Sequence, residues 1–275
     1  MKKIINFFNT IFLKFKIQKS INSYDEKINH KYLEKGFELE RNLISFTPNL
    51  SKPTSFDEYG FNEMRIINKD LALIASEAMD FFNEKITGYI GKNVRLDDMV
   101  LLWFDPSKAK KDSVSGYWHN DHCGNRLKLY ICLLGDGKTP TIYLPKTHTG
   151  DFRFTLKDII RFLGFKNKKK LANQHKLDLS ERDCSIFDTN GLHRGFYEDG
   201  STERVTLILE FIDRNKSNNI FNAAPTGPGN SINDMIIFNN EALSIMSKNS
   251  FFDFNLLNSE GSAHTYSLKN NFKKP

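Results

Sequence analysis

The stretch WHNDHCGNRLKLY, residues 118–130, sets His119, Asp121 and His122 within four positions of a chain that has only seven histidines. Side chains of these types at this spacing have three uses: holding a metal, exchanging a proton between imidazole and carboxylate, or closing a polar turn with no chemistry at all. On an extended strand residues i and i+2 share a face. His119 and Asp121 then project together, with Asn120 and His122 on the other side. Two ligands on one face are half a metal site, and His-x-Asp alone is too common a pattern to decide.

A second stretch, DCSIFDTNGLHRGFYEDGSTERVTLILEF (183–211), supplies candidates for the other half. A strand-like run from Cys184 to Asp188 leads into a turn at Asn190–Gly191, His193 follows, and another strand begins near Arg204. In a jelly roll, residues far apart in sequence meet across the barrel mouth. His193 would there complete a 2-His-1-carboxylate triad with His119 and Asp121, a set that leaves three metal positions open and suits non-haem Fe(II) oxygenases. Two open positions would take the 2-oxo acid end of 2-oxoglutarate and the third O2. The far carboxylate of 2-oxoglutarate needs a cation. Arg204, opening an inward-facing strand, offers a bidentate fork, and Thr206, two residues on, adds a hydroxyl on the same face. The competing reading of Arg204 is a surface arginine at a strand start.

These residues need a scaffold, and the chain between them is strand-like: VRLDDMVLLWF (94–104), LKLYICLL (127–134), TIYLP (141–145), CSIFD (184–188) and RVTLILEFI (204–212). Residues 70–90 predict a helix with Leu71, Leu73, Ile74, Ala78, Phe81 and Phe82 along one side and Gly91 as its stop. Residues 21–70 are polar and mixed and predict helices and loops, with a turn at Asn49–Pro53; a helical insert is expected over 155–173, and APTGPGNS (224–231) reads as a loop. Short strands without regularly alternating helices exclude a parallel α/β sheet and predict an antiparallel sandwich or barrel with helices outside. Neither a GxGxxG nor a Walker loop is present.

In order along the chain, WHNDHCG (118–124), TPTIYLPKTH (139–148), RDCSIFDTNGLHRG (182–195) and ERVTLILEF (203–211) resemble the phytanoyl-CoA dioxygenase-like family of Fe(II)/2-oxoglutarate oxygenases. The resemblance covers roughly residues 95–212. It implies a mainly β fold with flanking helices, a double-stranded β-helix of jelly-roll, cupin-like form. It implies His119, Asp121 and His193 as iron ligands and Arg204 as the 2-oxoglutarate anchor. Halogenating relatives carry a small residue at the carboxylate position, so Asp121 points to hydroxylation. One departure is Pro145-Lys146-Thr147-His148 where the family often has Pro-Gly-Ser-His, which is expected to alter a turn near the site. Arg126, Lys128 and Tyr130 alternate on the strand after His-x-Asp. If Leu127, Leu129 and Ile131 face the outer helices, Lys128 and Tyr130 could help hold 2-oxoglutarate and Arg126 could meet an anionic substrate; in the reversed register all three face outward. His122 and His148 read as polar or supporting residues rather than ligands.

The whole chain sets the limits. With 275 residues, 39% of them hydrophobic, it can bury a proper core. Its organisation reads as an amphipathic segment over 1–20 followed by a single oxygenase domain over 21–275. Cys123, Cys132 and Cys184 lack CxxC spacing and suit a reducing cytosol. A formal charge of +6 favours anionic partners in a mild way, and the run KNKKK (166–170) reads as a solvated helix face or an anion patch. In MKKIINFFNTIFLKFKIQKS (1–20), Ile4, Phe8, Ile11, Phe12 and Phe15 recur at helical spacing among lysines. That segment is too short and charged to span a bilayer; it either docks on the domain or lies on an anionic membrane. The expected substrate is a small or carrier-linked metabolite, with an anionic one favoured, and no nucleic-acid partner is expected. Two other functions remain: a zinc hydrolase on the same three side chains, which leaves Arg204 unexplained, and a β-barrel binding module without chemistry.

Overall fold

A computed structural model of the protein describes residues 29–119, 126–148, 170, 172–213, 236–253 and 266–268. The first elements are β1 (Phe37–Glu40), β2 (Phe61–Met64), β3 (Ile66–Ile67) and α1 (Lys69–Ile90). Then come β4 (Val94–Phe104), β5 (Arg126–Leu134), β6 (Thr141–Tyr143), β7 (His175–Leu177), β8 (Cys184–Asp188), β9 (His193–Gly195) and β10 (Arg204–Asp213). β11 (Ile236–Phe238), α2 (Asn240–Met246) and β12 (Tyr266–Leu268) complete the described elements.

Six strands form a major antiparallel sheet in the order β1-β8-β5-β10-β4-β2. A minor antiparallel sheet has the order β7-β6-β9, and an isolated bridge from His119 to His193 extends it beyond β9. The chain crosses between the two: β4 in the major sheet, His119 in the minor, β5 back in the major, β6 and β7 in the minor, β8 in the major, β9 in the minor and β10 in the major. That winding is a double-stranded β-helix, the jelly-roll form expected from the sequence. A parallel ribbon, β12-β11-β3, stands apart from both sheets.

The alternation of β5 and β10 sorts their side chains. Leu127, Leu129, Ile131 and Leu133 of β5 and Val205, Leu207, Leu209 and Phe211 of β10 enter one core with Leu71, Ile74, Ala78 and Phe82 of α1. The intervening residues, among them Arg126, Lys128, Tyr130, Arg204 and Thr206, therefore face the other sheet. There Tyr143 and Leu177 of the minor sheet pack on Phe187, Phe37, Leu39 and Tyr130 of the major one. The helix on the outer face begins where the Asn68 side chain accepts the Leu71 N–H at 3.0 Å and stops at Gly91, whose φ of +114° suits a glycine.

Three expectations need correction. Residues 21–70 were read as helices and loops, yet β1 and β2 flank the major sheet; at four residues each, FELE and FNEM are too short to register as strands until the sheet pairs them. No turn forms at Asn49–Pro53, which is irregular chain. Leu73 and Phe81 are exposed, at 40% and 52%, because the buried arc of α1 runs through Leu71, Ala75, Phe82 and Tyr89. Most of the expected helical insert at 155–173, the run KNKKK apart from Lys170, the segment 1–20 and the loop 224–231 lie outside the described residues. Among the described residues no helix is long and apolar enough to cross a membrane.

Candidate functional site

His119 and His193 are brought side by side by backbone pairing. Each accepts the other's N–H, at 3.0 and 2.8 Å, and the two rings lie 4.4 Å apart between centroids. The Nδ1 of His119 is 2.6 Å from the Tyr117 carbonyl oxygen, and the Nδ1 of His193 is 2.9 Å from that of Gly191. A carbonyl only accepts, so both Nδ1 atoms carry the proton and both lone pairs sit on Nε2. Histidines that ligate metals through Nε2 adopt this tautomer, with a carbonyl behind the ring. Asp121 and His122 lie outside the described residues, and among the described residues no group of three His, Cys, Asp or Glu side chains is gathered as for a metal ion.

The residues preceding His119 and following His193 tie the same bridge from its outer side. The guanidinium of Arg194, nearly buried, lies 5.7 Å from the Trp118 ring centroid and 5.9 Å from that of Phe196, with Glu198 at 3.0 Å as counter-ion. Inside, Phe187 meets the His193 ring at 5.6 Å and Tyr143 lies nearly parallel to it, 6.5 Å away at 13°. These rings wall the histidine on the barrel side.

Lys128 neighbours Phe187 across the sheet and faces inward, but its Nζ is 3.2 Å from Glu210 Oε1. Arg126 binds both Glu210 and Asp97, the latter at 2.9 Å, and Arg95 reaches Asp97 at 3.4 Å. Of the two registers the alternation allowed, the inward one is present, with both cations engaged by carboxylates of β4 and β10. Tyr130 points inward too, edge-on to Phe187 at 4.9 Å.

Arg204 is different. It is 5% exposed, its Nη1 donates to the Thr139 carbonyl at 2.6 Å, and among the described residues no carboxylate forms an ion pair with it. Thr206 is buried on the same face, beside Cys132, and its hydroxyl has no hydrogen-bond partner among the described residues. The buried hydroxyl of Ser185, paired across the sheet with Tyr130, is likewise unpartnered. Burying a guanidinium without a counter-ion is costly, as is burying a hydroxyl without a partner. The Cys132 thiol does not answer the charge: burial pushes it up to about 12 against the opposing pull of Arg204, so it stays protonated. A carboxylate ligand would satisfy the guanidinium and the Thr206 hydroxyl together.

Lys146 stands where the resemblance expects a glycine. Its φ is +65°, the left-handed conformation that glycine adopts freely. The next residue supports the site, a role the sequence reading missed: Thr147 Oγ1 donates to the Leu144 carbonyl at 2.7 Å and accepts the Leu192 N–H at 2.8 Å, one residue before His193. His148 is fully buried, edge-on to His30 at 5.2 Å. Burial, with His30 close by, lowers its pKa to about 4.

No family model matches the chain, and no curated protein matches it. Solved structures do. HygX from Streptomyces hygroscopicus, with nickel and 2-oxoglutarate bound, is 8% identical over 67% of this chain and 85% of its own, with a TM-score of 0.44. The non-heme alpha ketoglutarate dependent epimerase SnoN from nogalamycin biosynthesis is 11% identical over 70% and 83%, with a TM-score of 0.39. EvdMO1 is 17% identical over 48% of this chain, with a TM-score of 0.34, and the chain spans 30% of its length.

Proposed function

We propose that the chain is an Fe(II)/2-oxoglutarate-dependent oxygenase of the phytanoyl-CoA dioxygenase-like kind. In this reading His119, Asp121 and His193 hold the metal and Arg204 with Thr206 receives the far carboxylate of 2-oxoglutarate. Metal and co-substrate, when bound, supply the oxidation of a C–H bond by O2, with 2-oxoglutarate leaving as succinate and CO2. The chain's own part is to bind and orient. The Tyr117 and Gly191 carbonyls keep the Nδ1 protons in place so that both Nε2 lone pairs are available. Phe187 and Tyr143 wall His193 from the barrel interior.

The observation that carries this reading is the pair of imidazoles in the same tautomer, 4.4 Å apart, on the minor sheet of a barrel whose major sheet buries an arginine with no carboxylate partner among the described residues. A zinc hydrolase would use the same imidazoles but has no need of Arg204. The expected outcome is hydroxylation of a small or carrier-linked metabolite. Lys128 and Tyr130 belong to the wall beside the co-substrate, with Lys128 acting through its pair with Glu210.

The reading is tested under air with purified protein, Fe(II) and 2-oxoglutarate. Succinate should form, more slowly without the metabolite substrate, and Asp121→Asn should abolish it. A protein that forms no succinate with Fe(II) but hydrolyses esters when loaded with Zn(II) would be a hydrolase instead.

A further inference from the structure

The turn that delivers His193 is gripped from three directions at Asp188, a residue the site's chemistry does not use. Asp188 closes β8 and is fully buried. Its carboxylate accepts from the Tyr89 hydroxyl at 2.5 Å, from the Asn190 N–H at 2.8 Å and from Asn190 Nδ2 at 2.7 Å. Its backbone carbonyl accepts from the Tyr143 hydroxyl at 2.9 Å and from the Gly191 N–H at 3.2 Å. Tyr89 belongs to the last turn of α1 and Tyr143 to β6 of the minor sheet. One residue, through its carboxylate and its backbone carbonyl, thus joins the outer helix, the major sheet and the minor sheet.

We propose that Asp188 is the positioning residue for His193. Its Oδ1 fixes Asn190 through backbone and side chain together while Oδ2 holds Tyr89, which sets the turn that enters Gly191. The next peptide, between Gly191 and Leu192, presents the carbonyl that takes the His193 Nδ1–H at 2.9 Å. The Tyr143 hydroxyl closes over the turn so tightly that a Cβ at Gly191 would lie 1.8 Å from it, and the Tyr143 ring lies alongside the imidazole. Carboxylate hydrogen bonds of this kind are stronger than neutral ones, so the tautomer and the aim of Nε2 depend on a charge two bonds removed from the ligand. A residue that merely filled the core would leave the imidazole's proton where it is when exchanged for its isostere.

The test uses the full chain with 15N-labelled histidine, without metal, at neutral pH, the His193 signals being assigned with His193→Gln. The wild type should show His193 protonated at Nδ1; Asp188→Asn and Tyr89→Phe should shift it toward a mixture of tautomers, the first more than the second. Ni(II) affinity, which rests on the function proposed above, should fall about 10- to 100-fold in Asp188→Asn and not change further when that substitution is added to His193→Ala. If Asp188→Asn does not fold, Tyr89→Phe decides alone. Unchanged His193 ring shifts in every folded variant would overturn the proposal. A wild type that binds no Ni(II) would instead remove the metal reading, and the ring shifts would still decide the role of Asp188.

Discussion

His119 and His193 exchange two backbone hydrogen bonds, so residues 74 positions apart in sequence meet in a single pair whose rings stand 4.4 Å apart. The bridge sets the two backbones side by side, and the Tyr117 and Gly191 carbonyls aim the rings. Substitution of either ring by alanine should therefore leave the strand pairing and change the melting temperature little, while metal affinity falls at least about 100-fold. Calorimetric titration with Ni(II), beside a thermal melt, checks both halves.

Arg204→Leu removes the buried guanidinium but none of the expected metal ligands. Breaking a desolvated charge-assisted pair costs about 2–5 kcal/mol, so 2-oxoglutarate affinity should fall by roughly one to three orders of magnitude with metal affinity nearly intact. Titration of 2-oxoglutarate into the metal-loaded variant reads this directly. An unchanged affinity would move the anchor elsewhere, with Lys128 next to be tested.

His148 makes stability depend on pH. Its pKa is lowered from 6.5 to about 4 in the folded chain. Between those values the unfolded chain binds a proton that the folded chain refuses, so stability is complete above about pH 6.5 and is lost as pH falls toward 4, by up to about 1.4 kcal/mol for each pH unit. His148→Leu should flatten that slope in urea melts taken from pH 7 to 4.

Removal of residues 1–20 should leave metal and 2-oxoglutarate binding as they are, because His119, His193 and Arg204 all stand on barrel strands or their bridge. If the basic amphipathic segment lies on membranes, its removal should abolish sedimentation with anionic vesicles. A full-length chain that never sediments with them would make the segment a docking helix.

What the sequence made legible follows from length and periodicity. The eleven residues of β4, the nine of β5 and the ten of β10 are long enough to reveal themselves, whereas the alternation in RLKLYICLL allowed two registers, and only packing against α1 selects the one with Leu127, Leu129 and Ile131 outward and Lys128 and Tyr130 inward. β7 and β9 have three residues each, too few for a period, and exist because β6 pairs with both. The histidine pair was visible as residue types, whereas the carbonyls of Tyr117 and Gly191 that fix its tautomer are backbone atoms and leave no mark in sequence. Asp188 was visible only as the start of the turn DTNG; its bond to Tyr89 joins residues 99 positions apart, which no local pattern announces.

The central claim is that one barrel holds a metal and 2-oxoglutarate at once, and the most direct measurement is an anaerobic one. Fe(II) and 2-oxoglutarate added together to the purified protein should produce a visible charge-transfer absorption that neither gives alone, and that Arg204→Leu requires far more 2-oxoglutarate to reach. Metal-loaded protein that shows no such band, and binds no 2-oxoglutarate by calorimetry, would contradict the account.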